Sequence, residues 1–171
     1  AVMNGAPQRT ISTLLKLYPK AARKQDNHGR LPIHYACKSN VNGESYIRYL
    51  LKAYPESSEM ADHNGFLPLH VACRSGASMG AIRMLIRAAP ETILRKTNKG
   101  STPIHCAKQN KEGGEKQAEI VDTLKEVARE TKRMIEAHGL LEPCYPSGSS
   151  VAGSSISALK TDISHHSRDS R

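Results

Sequence analysis

Large aromatic side chains are scarce in this sequence. Its 171 residues include no Trp and a single Phe, and hydrophobic residues of all kinds make up 38% of the chain. This composition excludes a core built around a few large rings. Many small aliphatic contacts must supply the buried apolar surface instead. The length is that of one ordinary domain.

Long hydrophobic runs and secretory signals are also missing. No apolar stretch approaches the roughly 20 residues that cross a membrane. The opening AVMNGAPQRT has neither the basic nor the apolar region of a signal peptide. The four Cys show no C-x-x-C spacing, which favours reduced thiols and an intracellular protein, cytoplasmic or nuclear.

Acidic residues are outnumbered by basic ones. The chain has 25 Lys and Arg against 16 Asp and Glu, for a net charge of +9. An excess of this sign favours acidic partners or non-specific attraction to nucleic acid, but it carries no information about fold.

One short pattern is written three times. GRLPIHYACKSN starts at Gly29, GFLPLHVACRSG at Gly65 and the shorter GSTPIHCAKQN at Gly100, at steps of 36 and 35 residues. A proline behind an apolar segment keeps the same two steps. These prolines are Pro19, Pro55 and Pro90. Two independent landmarks in one register indicate a tandem repeat.

Each repeat predicts a turn followed by two helices. The turn is D-x-x-G in the first two copies and has Thr97 in place of Asp in the third, and its Gly supplies a positive φ angle. A proline three residues after the Gly suits the first position of a short helix. The second helix has an i, i+3, i+4 apolar stripe, such as Ile47, Leu50 and Leu51.

This pattern resembles the ankyrin repeat, whose signature is a D-x-x-G turn, then T-P-L-H-x-A-A, then paired leucines. The matching segments are LPIHYAC, LPLHVAC and TPIHCAK, followed by YLL and MLI after the first two. The resemblance extends over about residues 11–138. It implies an all-α repeat solenoid of stacked helix-turn-helix units with β-turn or hairpin fingers.

The register also predicts domain boundaries. We expect an ankyrin repeat domain over residues 8–138, composed of a half repeat at 8–25 and repeats at 26–61, 62–96 and 97–138. The last repeat should end in a long, charged capping helix, for which a coiled-coil arm is the alternative.

Both ends of the sequence carry further expectations. Ile11, Leu14 and Leu15 form the stripe of a second helix that lacks its first helix, so we expect repeats upstream. Residues 143–171 are rich in Ser and predict a disordered tail, either a spacer or a phosphorylatable motif.

Two repeats depart from the signature at the start of the first helix. Only Thr102 keeps the threonine, and Leu31 and Leu67 replace it. The two leucine copies should therefore lose a cap-type hydrogen bond, worth about 1 kcal/mol.

The repeated His and Cys raise the question of a metal site. His34 with Cys37, and His70 with Cys73, would each provide half of a zinc site. Packed helices lie about 8–10 Å apart, too far to share one zinc, and the third copy has Lys108 at the Cys position. We therefore expect no metal and no cofactor, and interpret the Cys as small apolar filler.

The repeated His is interpreted as structural as well. In ankyrin repeats this residue is buried near the turn and bonds across to the adjacent repeat. Neither G-x-x-x-x-G-K-[ST] nor H-E-x-x-H occurs in the sequence, and the one G-x-S-x-G match, GASMG at residues 76–80, lies between two predicted helices and not after a strand. We therefore expect no enzymatic activity and no small-molecule substrate.

The resemblance implies that a partner binds the concave face, formed by the turn tips and the exposed sides of the first helices. The candidate residues there are Asn27, His28, Arg30, Lys38, His63, Asn64, Phe66, Arg74, Asn98, Lys99 and Lys108. Their charged members are all basic. Phe66, the single Phe, is either a contact residue or packed against a neighbouring turn.

We therefore predict a protein-interaction scaffold whose concave face prefers an acidic, partly extended protein segment. Two alternatives remain open. One is non-specific nucleic-acid contact through the basic face. The other is a purely architectural segment of a larger signalling protein. No membrane contact is expected.

Overall fold

A computed structural model of the chain describes residues 6–39, 43–110 and 114–137. Within these ranges the regular structure is helical, with no strand. Seven α-helices follow one another along the chain: α1 (Gln8–Leu17), α2 (Pro32–Lys38), α3 (Gly43–Ala53), α4 (Pro68–Ser75), α5 (Met79–Ala88), α6 (Pro103–Gln109) and α7 (Gly114–Ala137).

The helices form two layers. The short helices α2, α4 and α6 pack side by side in one layer, and α1, α3 and α5 pack side by side in the other. Each short helix also packs against the helix that follows it, α2 on α3, α4 on α5 and α6 on α7. This arrangement confirms the predicted all-α solenoid of stacked helix-turn-helix units.

Small residues allow the short helices to approach closely. Ala36, Ala72 and Ala107 hold the same repeat position and are fully buried. Medium-sized aliphatic side chains such as Ile47 and Leu85 fill the space between the layers. The core is therefore a continuous row of small contacts, as the shortage of aromatic residues predicts.

A short 3₁₀ helix follows α1, α3 and α5, over Pro19–Arg23, Pro55–Ser58 and Pro90–Leu94. Each of them lies between the second helix of one unit and the turn of the next. A proline begins each of them, where its missing N–H is harmless. Ser57 and Thr92 are buried there, and their hydroxyls donate to the carbonyls of Tyr54 and Ala89 at 2.6 and 2.5 Å.

Helix α7 is the longest helix and packs on α6 and on the third 3₁₀ segment. Ile120 and Leu124 face inward, while Asp122 and Lys125 pair on the outer side at 2.8 Å. Helix α7 therefore has the features of a capping helix, and its role as a cap stays a prediction. The predicted tail at 143–171 lies outside the described residues.

Candidate functional site

Each D-x-x-G sequence folds into a tight turn that projects as a finger ahead of the first helix. In the second finger, Asp62 Oδ1 accepts from the backbone N–H groups of Asn64 and Phe66, both at 2.9 Å. The Asp62 N–H donates to the Phe66 carbonyl at 3.0 Å and closes the turn. Gly65 has φ +78°, which favours glycine. A single carboxylate therefore organises the finger.

The third finger has Thr97 at the Asp position. Its Oγ1 accepts one backbone hydrogen bond, from the Ser101 N–H at 3.1 Å. The Thr97 N–H still donates to the Ser101 carbonyl at 2.9 Å, so the turn closes in the same way. The substitution removes one hydrogen bond and a negative charge from this finger but keeps its shape.

Hydrogen bonds join the fingers to one another. The His63 N–H donates to the His28 carbonyl at 3.0 Å, and the Asn98 N–H donates to the Asn64 carbonyl at 3.1 Å. The Asn98 side-chain amide donates to the His63 carbonyl at 3.0 Å. The three finger tips therefore form one continuous strip instead of three independent loops.

His34 and His70 connect each short helix to the next finger. The backbone N–H groups of Leu31 and Leu67 donate to their Nδ1 atoms at 3.1 and 3.3 Å, so the proton is on Nε2. His34 Nε2 then donates to the Phe66 carbonyl at 3.0 Å. Both rings are buried. The structural role implied by the resemblance is confirmed for these two histidines.

For the third copy, that expectation is wrong. His105 is exposed, and its ring makes no hydrogen bond with any described residue. In the described part of the chain α6 leads into α7, with no further finger to offer a carbonyl.

The Thr102 hydroxyl accepts from the His105 N–H at 3.3 Å, whereas neither Leu31 nor Leu67 provides a side-chain cap, as predicted.

The free energy of unfolding should fall as the pH is lowered from 7 towards 5. Burial lowers the pKa of His34 and His70, whereas free histidine titrates near 6.5. The unfolded chain therefore binds protons first, and stability that is complete above about pH 6.5 is lost below it. Urea unfolding at several pH values measures this slope.

Removing one of the two buried rings provides the control. His70→Ala should make the slope between pH 7 and 5 smaller, because one of the two histidines whose pKa burial lowers is then absent. A free energy of unfolding that stays constant or rises as the pH falls would contradict the assignment of two buried, neutral histidines.

The repeated Cys37 and Cys73 are buried as well, and so is Cys106, which lies at another position of the repeat. Cys37, Cys73 and Cys106 all lie in the core, and burial raises the pKa of each thiol. A neutral thiol is a poor zinc ligand, because zinc binds the thiolate. The described residues contain no group of three or more metal-ligating side chains.

The candidate interface residues lie mostly on the surface. Nine of the eleven are exposed, and Arg30 and Phe66 are half-buried. Phe66 packs edge-on against His70, with ring centroids 6.1 Å apart, and the Arg74 guanidinium lies 5.7 Å from the Phe66 ring centre. Phe66 and Arg74 therefore form one combined surface feature next to the second finger.

Arg30 is committed to the fold. Its Nε lies 3.5 Å from Oδ2 of Asp62, whose side chain is only 5% exposed.

The Tyr35 hydroxyl donates to Asp26, and this hydrogen bond lowers the pKa of Asp26 to about 2. Sequence reasoning missed Tyr35. Its signal is available, because Tyr35, Val71 and Cys106 occupy one variable position of the repeat.

The fold and the finger strip define a stacked helical-repeat protein. A family model described as ankyrin repeats in three copies matches residues 1–93, more than half of the chain. The chain belongs to the ankyrin repeat family. Ankyrin repeats are generally protein–protein interaction modules, and the family is typically non-enzymatic.

A comparison with curated proteins found no match to this chain. Among the described helices, none combines the length and the apolar character that a membrane crossing requires.

Proposed function

We propose that this chain is a non-catalytic protein-interaction module that binds an acidic, extended segment of a partner along its concave face. The observation that carries the proposal is a set of four exposed cations, here named the basic strip: Lys38, Arg74, Lys99 and Lys108. None of them forms an ion pair with a described residue, whereas Arg30 does.

The acidic side chains near the basic strip already form hydrogen bonds or ion pairs within the fold. Asp26 and Asp62 accept hydrogen bonds from backbone N–H groups of their own fingers, and Asp62 also pairs with Arg30. Their charge is therefore largely used within the fold. A surface whose cations form no ion pair with the described residues, and whose carboxylates bond within the fold, attracts a negatively charged partner and orients its approach.

The spacing of the strip favours an extended partner. Neighbouring helices pack about 8–10 Å apart, so the distance from α2 to α6 is roughly 20 Å. An extended chain rises about 3.3 Å per residue and covers this distance with six or seven residues. A peptide of about ten residues is therefore long enough to contact all three units.

Reversing the basic strip should weaken binding to such a peptide at least about 30-fold. The variant is Lys38→Glu, Arg74→Glu, Lys99→Glu and Lys108→Glu, and the probe is a fluorescent ten-residue peptide of Glu, Asp, Ser and Gly. Exposed charge pairs are worth about 0.2–1 kcal/mol each, and reversal also replaces each attraction with repulsion, so four reversals account for about 2 kcal/mol or more. Fluorescence anisotropy measures the loss.

A charge-matched control separates position from net charge. Arg48, Lys52, Arg83 and Arg87 are exposed on α3 and α5, and reversing them changes the net charge equally. This control should bind the peptide nearly as well as the parent protein. Equal losses in both variants would overturn the proposal. Tighter binding of a DNA duplex than of the peptide, with a steep salt dependence, would favour nucleic-acid contact instead.

A further inference from the structure

Phe66 and Arg74 occupy the middle of the candidate interface. Both belong to the second unit, whose short helix α4 packs against α2 on one side and against α6 on the other. The pair therefore lies between Lys38 of α2 and Lys108 of α6, with a repeat on either side. Arginine and aromatic residues near the centre of an interface are the ones that most often carry its binding energy.

Phe66 is held in place by several contacts. Its N–H donates to Oδ1 of Asp62 at 2.9 Å, and its carbonyl accepts from the Asp62 N–H and from His34 Nε2, both at 3.0 Å. Its half-buried ring packs edge-on against the buried His70 ring, with centroids 6.1 Å apart. Backbone and side chain are therefore both fixed before a partner binds.

The Phe66 ring in turn supports the Arg74 side chain. The guanidinium carbon lies 5.7 Å from the ring centre, within the distance of about 6 Å at which an aromatic ring attracts a cation. Arg74 is exposed, and its guanidinium forms neither a hydrogen bond nor an ion pair with any described residue. Its five N–H donors are therefore available to a partner, on a side chain whose position the ring restricts.

The pair is specific to the second unit. The residues equivalent to Phe66 in the other two copies are Arg30 and Ser101, so neither copy has an aromatic ring at this position. The equivalent of Arg74 in the first copy is Lys38. Among the cations of the basic strip, Arg74 is thus distinguished both by its guanidinium and by the ring beside it.

We propose that Arg74 binds a carboxylate of the partner segment directly and that Phe66 positions Arg74 for this contact, roles that rest on the function proposed above. Lys38, Lys99 and Lys108 attract the acidic segment as point charges. A guanidinium instead binds a carboxylate through two parallel hydrogen bonds with a defined geometry. One Glu or Asp of the partner paired with Arg74 therefore sets the position of the whole segment along the strip.

The first test replaces the guanidinium without changing the charge. Arg74→Lys should weaken binding of the ten-residue acidic peptide about fivefold in fluorescence anisotropy, because an ammonium group cannot form the bidentate pair. The factor should be the same at low and at high salt, since the number of cations is unchanged and screening acts on both proteins alike.

A second arginine beside an aromatic ring provides the matched control. The Arg23 guanidinium carbon lies 4.6 Å from the centre of the Tyr54 ring, but Arg23 belongs to the 3₁₀ segment that follows α1 and not to the concave face. Arg23→Lys should therefore bind the acidic peptide with the affinity of the parent protein.

Two substitutions at Phe66 test its positioning role. Phe66→Leu keeps an apolar side chain but removes the ring, whereas Phe66→Tyr keeps the ring. The leucine variant should bind the peptide at least threefold more weakly than the tyrosine variant. In the Arg74→Lys background, Phe66→Leu should cause less than a twofold further loss, because the ring acts through the guanidinium. Thermal unfolding checks that each variant folds.

The possible failures are distinguishable. Unchanged affinity in Arg74→Lys, together with weak binding after reversal of the whole basic strip, would overturn this inference and leave the proposed function intact. Equal losses in Arg74→Lys and Arg23→Lys would also overturn it. Independent, multiplying losses from Phe66→Leu and Arg74→Lys would contradict the positioning role and assign Phe66 a direct contact with the partner. No binding of the peptide by the parent protein would overturn both proposals.

Discussion

His70→Ala is expected to destabilise the fold by about 3 kcal/mol or more. The His70 ring is buried, accepts from the Leu67 N–H at 3.3 Å, and faces the carbonyls of Arg95 and Ser101 at 3.1 Å. Its loss leaves a buried N–H unpaired, at about 1–3 kcal/mol, and opens a cavity as well. Because whole domains are stable by only about 5–15 kcal/mol, the effect is large. Urea unfolding measures it.

The repeat provides a control at the equivalent position. His105 has the same register but is exposed and makes no ring hydrogen bond with the described residues. His105→Ala should therefore change the free energy of unfolding by less than about 0.5 kcal/mol. Similar losses at His70 and His105 would contradict the assignment of His70 as the link between the second short helix and the third finger.

Gly65→Ala is expected to cost about 3 kcal/mol, against about 1 kcal/mol for Gly100→Ala. Both glycines have φ +78°, so both substitutions carry the strain of a left-handed residue. A Cβ at Gly65 would also lie 2.7 Å from the backbone nitrogen of Asn98, whereas at Gly100 no described atom lies within 4 Å. Denaturant unfolding of the two variants measures the difference.

The two glycines separate backbone strain from close approach. The excess cost at Gly65 should come from pushing the second finger away from the third, which breaks the hydrogen bond from the Asn98 N–H to the Asn64 carbonyl. Loss of amide protection at Asn98 in Gly65→Ala would report this directly. Equal destabilisation by the two substitutions would mean that the fingers do not pack as tightly as described.

The repeat pattern predicts most of the architecture, because the same structural constraints recur in each copy of a tandem repeat. The turn glycines, the helix-starting prolines and the small alanines recur at 36- and 35-residue steps, and each appears at the expected place in the stack. The absence of a side-chain cap at Leu31 and Leu67 also follows from the amino-acid sequence alone.

Features that depend on neighbours in space are not predictable in the same way. The segments after the second helices form 3₁₀ helices, and only the prolines that begin them are apparent from the sequence. Identical residues at equivalent repeat positions also lie in different structural environments. His70 is buried because a finger follows it, and His105 is exposed because α7 follows instead.

The candidate interface shows the same distinction. Arg30 directly follows a turn glycine and would be expected on the surface, yet it pairs with Asp62 of the next finger. No local pattern predicts this contact between repeats. Lys38 and Arg74 hold equivalent positions in the first two copies, and both are exposed. The residues shared between copies build the stack, and we propose that the positions that vary between copies form the surface that a partner contacts.

Mapping where the acidic peptide binds tests the central proposal most directly. The ten-residue acidic peptide is titrated into isotope-labelled protein, and backbone amide shifts are followed by NMR. The expected result is a set of saturating shifts confined to the fingers and to the neighbourhoods of Lys38, Arg74, Lys99 and Lys108. Shifts centred on the outer surfaces of α3, α5 or α7, or spread evenly over all exposed cations, would contradict a concave binding face.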